Sequence, residues 1–409
     1  MTSPYNQWRK IFAFGPGMIV AITGIGASDV IVSTVAGATF GTSLLWAIAL
    51  GAFFKWVLND GIVRWETGTN TSLIHAWSTY LPRPVLFLFF LYLLVWIIGV
   101  SAALTSGCGL AIENLSHGNI SSFWGGMTHS LLGALLVILG YGQKIEKIIK
   151  LLTGIMFVSV VGCALLSLPD LKELFNGLLF PRIPPETNTF TLSLIGGIGG
   201  SLTLLSYRYL HPLTQKRAYN SEVKKELFQA YFFTAVFCIS IMIIASHVFY
   251  KSGIEINDQS AVKKMTEHIG TIAGKPGFYL YSIGFWATVT ASLLGVWKIV
   301  PQITVDCFQN LFKHEYHSKK ISQGTLLILT FAPLPLLSLG KPLALIILFT
   351  VLSSLFIPFL AFTLLYLNYR VSNHSTQIRN TPWQSLLQFI ILILFSWIGF
   401  QELQNLIFK

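Results

Sequence analysis

About eleven stretches of some twenty mostly apolar residues follow one another along the chain, separated by loops too short to hold a soluble domain. In hydrocarbon every backbone N–H and C=O must find its partner inside the protein, and a helix satisfies its own. The expected fold class is therefore an all-α polytopic membrane protein. The spans run approximately over residues 11–39, 43–63, 84–112, 124–141, 148–168, 189–212, 227–250, 275–297, 322–340, 342–368 and 382–401. Composition agrees: 53% of the residues are hydrophobic, and 11% are charged where a soluble domain has about a quarter.

Counted on alternating sides of these spans, roughly two-thirds of the 27 lysines and arginines fall on the side of the N-terminus. That side is expected to be cytoplasmic, in a cell membrane, with the C-terminus outside. The net charge of +11 is then a topology signal that also favours anionic lipid headgroups. A nucleic-acid partner would want the basic residues gathered on a soluble face, so none is expected. The opening MTSPYNQWRK leads straight into the first span, which reads as no cleaved signal peptide.

The four cysteines, Cys108, Cys163, Cys238 and Cys307, lie in or beside spans without CxxC spacing and read as small buried hydrophobes. His314, Glu315 and His317 could chelate a metal on paper, but they sit in a short charged loop and read as solvated. The two sizeable outer segments, 169–188 and 251–274, are too short for a core of their own. Function has to reside in the bundle, expected to be a single transmembrane domain over residues 1–409.

The first span is interrupted by GIGAS at 24–28, and the sixth, five spans later, by GGIGGS at 196–201. An odd number of spans per half puts the halves in opposite orientations, an inverted repeat of about 11–168 and 189–368 with an extra helix at 382–401. Gly-interrupted spans at matching positions of two inverted halves are the sequence mark of a broken-helix secondary transporter. Small-residue packing between helices is the other reading of such glycines.

Asp29 follows the first break directly. A charge in mid-bilayer is costly and generally faces a cavity or a partner, which makes Asp29 a candidate site residue, with a structural ion pair or helix cap as the alternative. The second span, GAFFKWVLNDGIVRW, adds Lys55, Asn59, Asp60 and Arg64. Asp60 and Arg64 are four apart with the acid first and can pair on one helix face. Lys55 lies roughly 16 Å into its span at 1.5 Å per residue, close to the midplane. It either neutralises Asp29 or serves as a fixed or titratable cation in place of a co-transported ion.

GPGMIVAITGIGASDVIVSTVAGATFGTSLLWAIAL resembles the first two spans of the Nramp family of divalent-metal transporters, with its GPG opening, a break, a G-A-x-F-G turn and LLW. QKIEKIIKLLTGIMF with LPDLKELFNGLLFPRIPP resembles the fifth span and the loop after it, and VLSSLFIPFLAFTLLYLN the tenth. The resemblance implies the LeuT-like inverted five-plus-five helix repeat with one extra helix. It also locates departures. The family's first break reads Asp-Pro-Gly-Asn; Gly26, Ala27, Ser28 and Asp29 stand there. Its sixth-span Met-Pro-His aligns with Gly200, Ser201 and Leu202, its tenth-span glutamine with Thr350, and the acidic residues of its third span have no counterpart.

Without thioether or imidazole, a metal cargo would be a hard ion such as Mn²⁺ or Mg²⁺, held by Asp29 with Gly26, Ser28, Gly200, Ser201, Thr203 and Thr350. The function expected is secondary transport of such an ion by alternating access, with Lys55, Asn59, Asp60 and Arg64 as coupling or charge partners. The alternative cargo is a small organic solute such as an amino acid, its carboxylate at a half-helix N-terminus. No cofactor is expected. The chain carries no HExxH or GxSxG, so no enzyme is expected either. Beyond the solute and the bilayer no partner is called for, and a monomer suffices.

Overall fold

The computed structural model describes residues 16–140, 142–183, 188–210, 218–251, 261–313, 318–371 and 378–407. His314, Glu315 and His317 lie outside these, as do the whole of MTSPYNQWRK and its junction with the first span. Among the described residues the chain is helical, without strands. Among the described residues seven helical segments are long and apolar enough to cross a membrane, and Ala27–Phe40, Ser122–Ile138 and Pro382–Trp397 are shorter apolar helices.

The first span is two helices, α1 (Pro16–Gly24) and α2 (Ala27–Phe40), and the second is α3 (Leu45–Thr69). A short helix, α4 (Leu73–Tyr80), leads to α5 (Arg83–Leu115), the third span. The fourth and fifth are α6 (Ser122–Ile138) and α7 (Gly142–Leu166). The segment after α7 holds α8 (Leu171–Leu179), begun by the Asp170 side chain. The sixth span is α9 (Asn188–Gly197), a gap, a 3₁₀ turn (Leu202–Ser206) and α10 (Tyr207–Leu210). The seventh is α11 (Ser221–Ala245), closed by a π turn at Ser246–Tyr250.

The eighth span lies in α12 (Ala261–Phe312), which begins well before residue 275. Its first turns, in the segment expected to be loop, are helical as far as Gly274, where φ is +65° and the axis bends. No side chain favours that backbone, and Pro276 follows with no N–H to give, so glycine and proline make a kink where the hydropathy suggests a helix start. The ninth span is α13 (Ser318–Phe331) with α14 (Pro333–Leu337). The tenth is α15 (Pro342–Ser354) and α16 (Phe356–Val371). They part at Leu355 because Pro358 can neither bond to nor sit beside the carbonyl of Ser354, four residues back. The last helix is α17 (Pro382–Ile407).

The surface of the bundle is apolar. On α5, Phe87, Leu88, Leu91, Val95 and Ile98 are exposed at helical spacing, while Phe89, Leu93, Trp96, Ile97 and Val100 point inward. Such a stripe would be buried in a soluble protein; here lipid covers it.

The helix ends fall into two sets, as alternating spans require. At one end Arg83 donates to the Leu311 carbonyl, His75 bonds Asn310, and Lys298 joins Glu146 and the Leu210 carbonyl. At the other, Thr42 and Lys251 bond Glu173, Trp46 donates to the Arg182 carbonyl, and Asn114 donates to Thr266 and Ser282.

The expected Asp60–Arg64 pair is formed, at 3.1 Å and buried. Asp60 also accepts from Tyr219 and Gln384, and Arg64 donates to the carbonyls of Ile378 and Arg379 and to Asn380. This network ties the second span to the last helix. Breaking a buried pair by removing one partner costs about 3–5 kcal/mol. Arg64→Ala should therefore lower the melting temperature in detergent by several degrees, while Lys263→Ala, which breaks an exposed pair with Glu267, should leave it unmoved.

Candidate functional site

The two breaks meet at the centre of the bundle. In the first, Gly26 is extended, with φ −130° and ψ −161°, and α2 starts at the next residue. Asp29, in its first turn, accepts the Gly26 N–H at 3.0 Å, closing a donor that a helix start leaves open. Its other oxygen accepts the Gly199 N–H at 2.7 Å, and the Cys238 thiol of α11 lies 4.0 Å away. One carboxylate thus holds both breaks.

In the second, Gly199 and Gly200 both have φ +78°, which only glycine adopts without strain. The turn presses against the first break: a Cβ on Gly24 would stand 2.8 Å from the Gly199 oxygen and 3.3 Å from the Gly200 Cα. Glycines here are conformational and steric requirements at once.

Lys55 reaches the same turn from α3 with no exposed surface. Its Nζ donates to the carbonyl of Gly196 at 2.8 Å and to that of Gly200. One turn on, Asn59 donates to the Leu204 carbonyl at 3.0 Å. Asp29 and Lys55 each lodge on sixth-span backbone instead of on the other.

Beside the breaks lies a small cavity of about 20 Å³, room for about one water-sized particle. Six of the residues singled out in the sequence line it: Gly26, Ser28, Gly200, Ser201, Thr203 and Thr350. Asp29 does not; its oxygens are turned to the break, and it borders the cavity only through its neighbour Ser28. Thr23, Trp96, Ser292, Phe349 and Ser353 also stand in the wall and carry no sequence signal, since an isolated serine, threonine or aromatic residue in an apolar helix looks like packing. Trp96 donates to Ser201 at 3.3 Å and packs on Phe349, with ring centroids 5.7 Å apart. Ser292 donates to the Thr23 carbonyl at 3.0 Å.

Three hydroxyls of this wall, on Thr23, Thr203 and Ser353, are buried without a hydrogen-bond partner. With no partner inside the protein, they are free to bond a water or a solute in the cavity. The donors are neutral oxygens, and no group of three or more His, Cys, Asp or Glu side chains able to hold a metal occurs among the described residues. Asp60 and Arg64 belong to the network at the helix ends and not to this site.

Comparison with known proteins gives a consistent picture. The family model described as natural resistance-associated macrophage protein-like, Nramp, matches residues 17–403. A divalent metal cation transporter, MntH, of Staphylococcus aureus (strain bovine RF122 / ET3-1) is 24% identical over 435 residues, covering 98% of this chain and 94% of the relative. Among solved structures, the Eremococcus coleocola manganese transporter in complex with an aromatic bis-isothiourea substituted compound superposes with a TM-score of 0.77 at 18% identity, covering 98% of this chain and 87% of that one. MhsT in complex with L-phenylalanine superposes with a TM-score of 0.61 at 15% identity, over 93% and 97% of the two chains. The fold is the LeuT-like one, shared by proteins of different cargo.

Proposed function

Because this chain belongs to the Nramp family, we propose that it is a secondary transporter carrying a hard divalent cation, Mn²⁺ or Mg²⁺, by alternating access through the hydroxyl-lined cavity. The observation that carries the reading is the trio of buried, unpartnered oxygens on Thr23, Thr203 and Ser353. Oxygen donors without sulfur or imidazole suit hard ions. Asp29 acts here as the part that holds the breaks together and as the nearest negative charge. The helices on either side of the two breaks, hinged at Gly24, Gly26, Gly196, Gly197, Gly199 and Gly200, would rock against the third, fourth, eighth and ninth spans. The whole chain works as one transport domain, with the N-terminal, basic side in the cytoplasm.

The cavity leaves no space for a hydration shell. Mg²⁺ sheds its water reluctantly, so Mn²⁺ is expected to move faster. An amino acid, as held by MhsT, would need the cavity to open far wider. The test is ion uptake into proteoliposomes read by an internal metal-sensitive dye. Thr203→Val keeps the shape and removes one oxygen; a lost ligand of about 1.4 kcal/mol raises KM by about tenfold with the protein still folded. An unchanged KM would remove this cavity as the cargo site. Absence of any uptake by folded wild type would turn the search to amino acids.

A further inference from the structure

A helix leaves its last carbonyls without partners, and they carry the negative end of its dipole. At the end of α9 the carbonyl of Gly196 and, past the turn, that of Gly200 both receive the Lys55 ammonium. Half-helix ends and unwound carbonyls of this kind coordinate free cations in broken-helix transporters. Here the cation comes on a side chain.

The approach is built for it. Gly51, one turn before Lys55 on α3, packs so closely on α9 that a Cβ there would lie 2.6 Å from the Ile195 oxygen. That contact brings the two helices near enough for the lysine to span the gap, and its stem lies against Gly199, whose Cβ would be 3.5 Å from the Lys55 Cγ. The turn is held from both sides by opposite charges: the Gly199 N–H goes to Asp29 and the Gly200 C=O to Lys55.

We propose that the Gly196 and Gly200 carbonyls form a monovalent-cation cradle that Lys55 fills permanently, so that the transport cycle runs without a co-transported sodium or potassium ion. That the cradle is a cation site follows from its contacts alone. That it spares the cycle a coupling ion rests on the transport reading above.

Lys55→Ala removes the arm and leaves the carbonyls, and propylammonium is the fragment lost. Purified wild type, Lys55→Ala and Lys55→Gln are melted in choline, potassium and propylammonium chloride at equal ionic strength. Wild type should melt at one temperature in all three. Lys55→Ala should melt several degrees lower in choline and recover, saturably, in propylammonium and in part in potassium, because a ligand bound only by the folded state stabilises it. Lys55→Gln, whose amide donates to the same carbonyls without charge, should be indifferent to the salt. Equal melting of Lys55→Ala in all three salts, or the same salt dependence in wild type, overturns the cradle. If Lys55→Ala yields folded protein only when prepared in propylammonium, the cradle is supported; if it folds in none of the salts, the cradle is overturned. Uptake separates the two parts of the proposal. A wild type that transports only with a sodium or potassium gradient overturns the replacement of a coupling ion. A wild type that moves no metal while Lys55→Ala shows the stability rescue leaves the cradle standing and defeats the cargo reading.

Discussion

Asp29→Ala is expected to abolish metal uptake, by at least about a hundredfold, or about 2.7 kcal/mol in barrier height. The carboxylate closes the N–H of Gly26 and the N–H of Gly199, and it is the nearest counter-charge to Lys55. Its removal leaves two buried donors without partner and takes the counter-charge away from a buried cation that keeps its two carbonyls, a loss on the order of 3–5 kcal/mol. A lower melting temperature should accompany the lost uptake. Asp29→Asn separates shape from charge: its oxygen can serve one of the two N–H groups, but its amide turns a donor on the other. It should fold better than the alanine variant and transport no better. Wild-type uptake by either variant would remove Asp29 from the mechanism.

Gly24→Val should do equal damage for a steric reason. The atoms a side chain at Gly24 would meet are all backbone of the second break, at 2.8, 3.1 and 3.3 Å, and backbone in a closed turn cannot step aside. Overpacking of this kind costs about 1–3 kcal/mol or more and pries the breaks apart. Gly154→Val is the control: on α7, away from the breaks, a Cβ there meets nothing within 4 Å, and it should keep its uptake. If Gly24→Val transports as well as Gly154→Val, the contact between the breaks has no part in function.

The architecture is largely written in hydropathy and glycine placement. GIGAS and GGIGGS mark the two interruptions to within a residue or two, because a break in lipid needs glycine and glycine is visible. The Asp60–Arg64 pair is equally legible from its spacing. The start of the eighth span is not, since the kink at Gly274 depends on one backbone angle in a polar stretch that reads as loop. The site is legible in part. Ser28, Ser201 and Thr203 stand beside the breaks and can be found by proximity in sequence. Thr23, Ser292 and Ser353 come together only through folding, and each resembles the many hydroxyls that bond the carbonyl of their own preceding turn, as Thr288 and Thr304 do. The orientation of Asp29, away from the cavity and into the turn, is a matter of side-chain geometry that sequence does not encode separately from the ligand reading.

The last helix gives the surrounding lipid a mechanical path to the centre of the protein. On its outer side α17 presents Ile393 and Trp397 to the acyl chains, while Phe395, on its inner side, packs against Gly196 so closely that a Cβ there would stand 2.5 Å from the ring. The Gly196 carbonyl is one of the two that hold Lys55. A single helix thus separates the acyl chains from the broken sixth span.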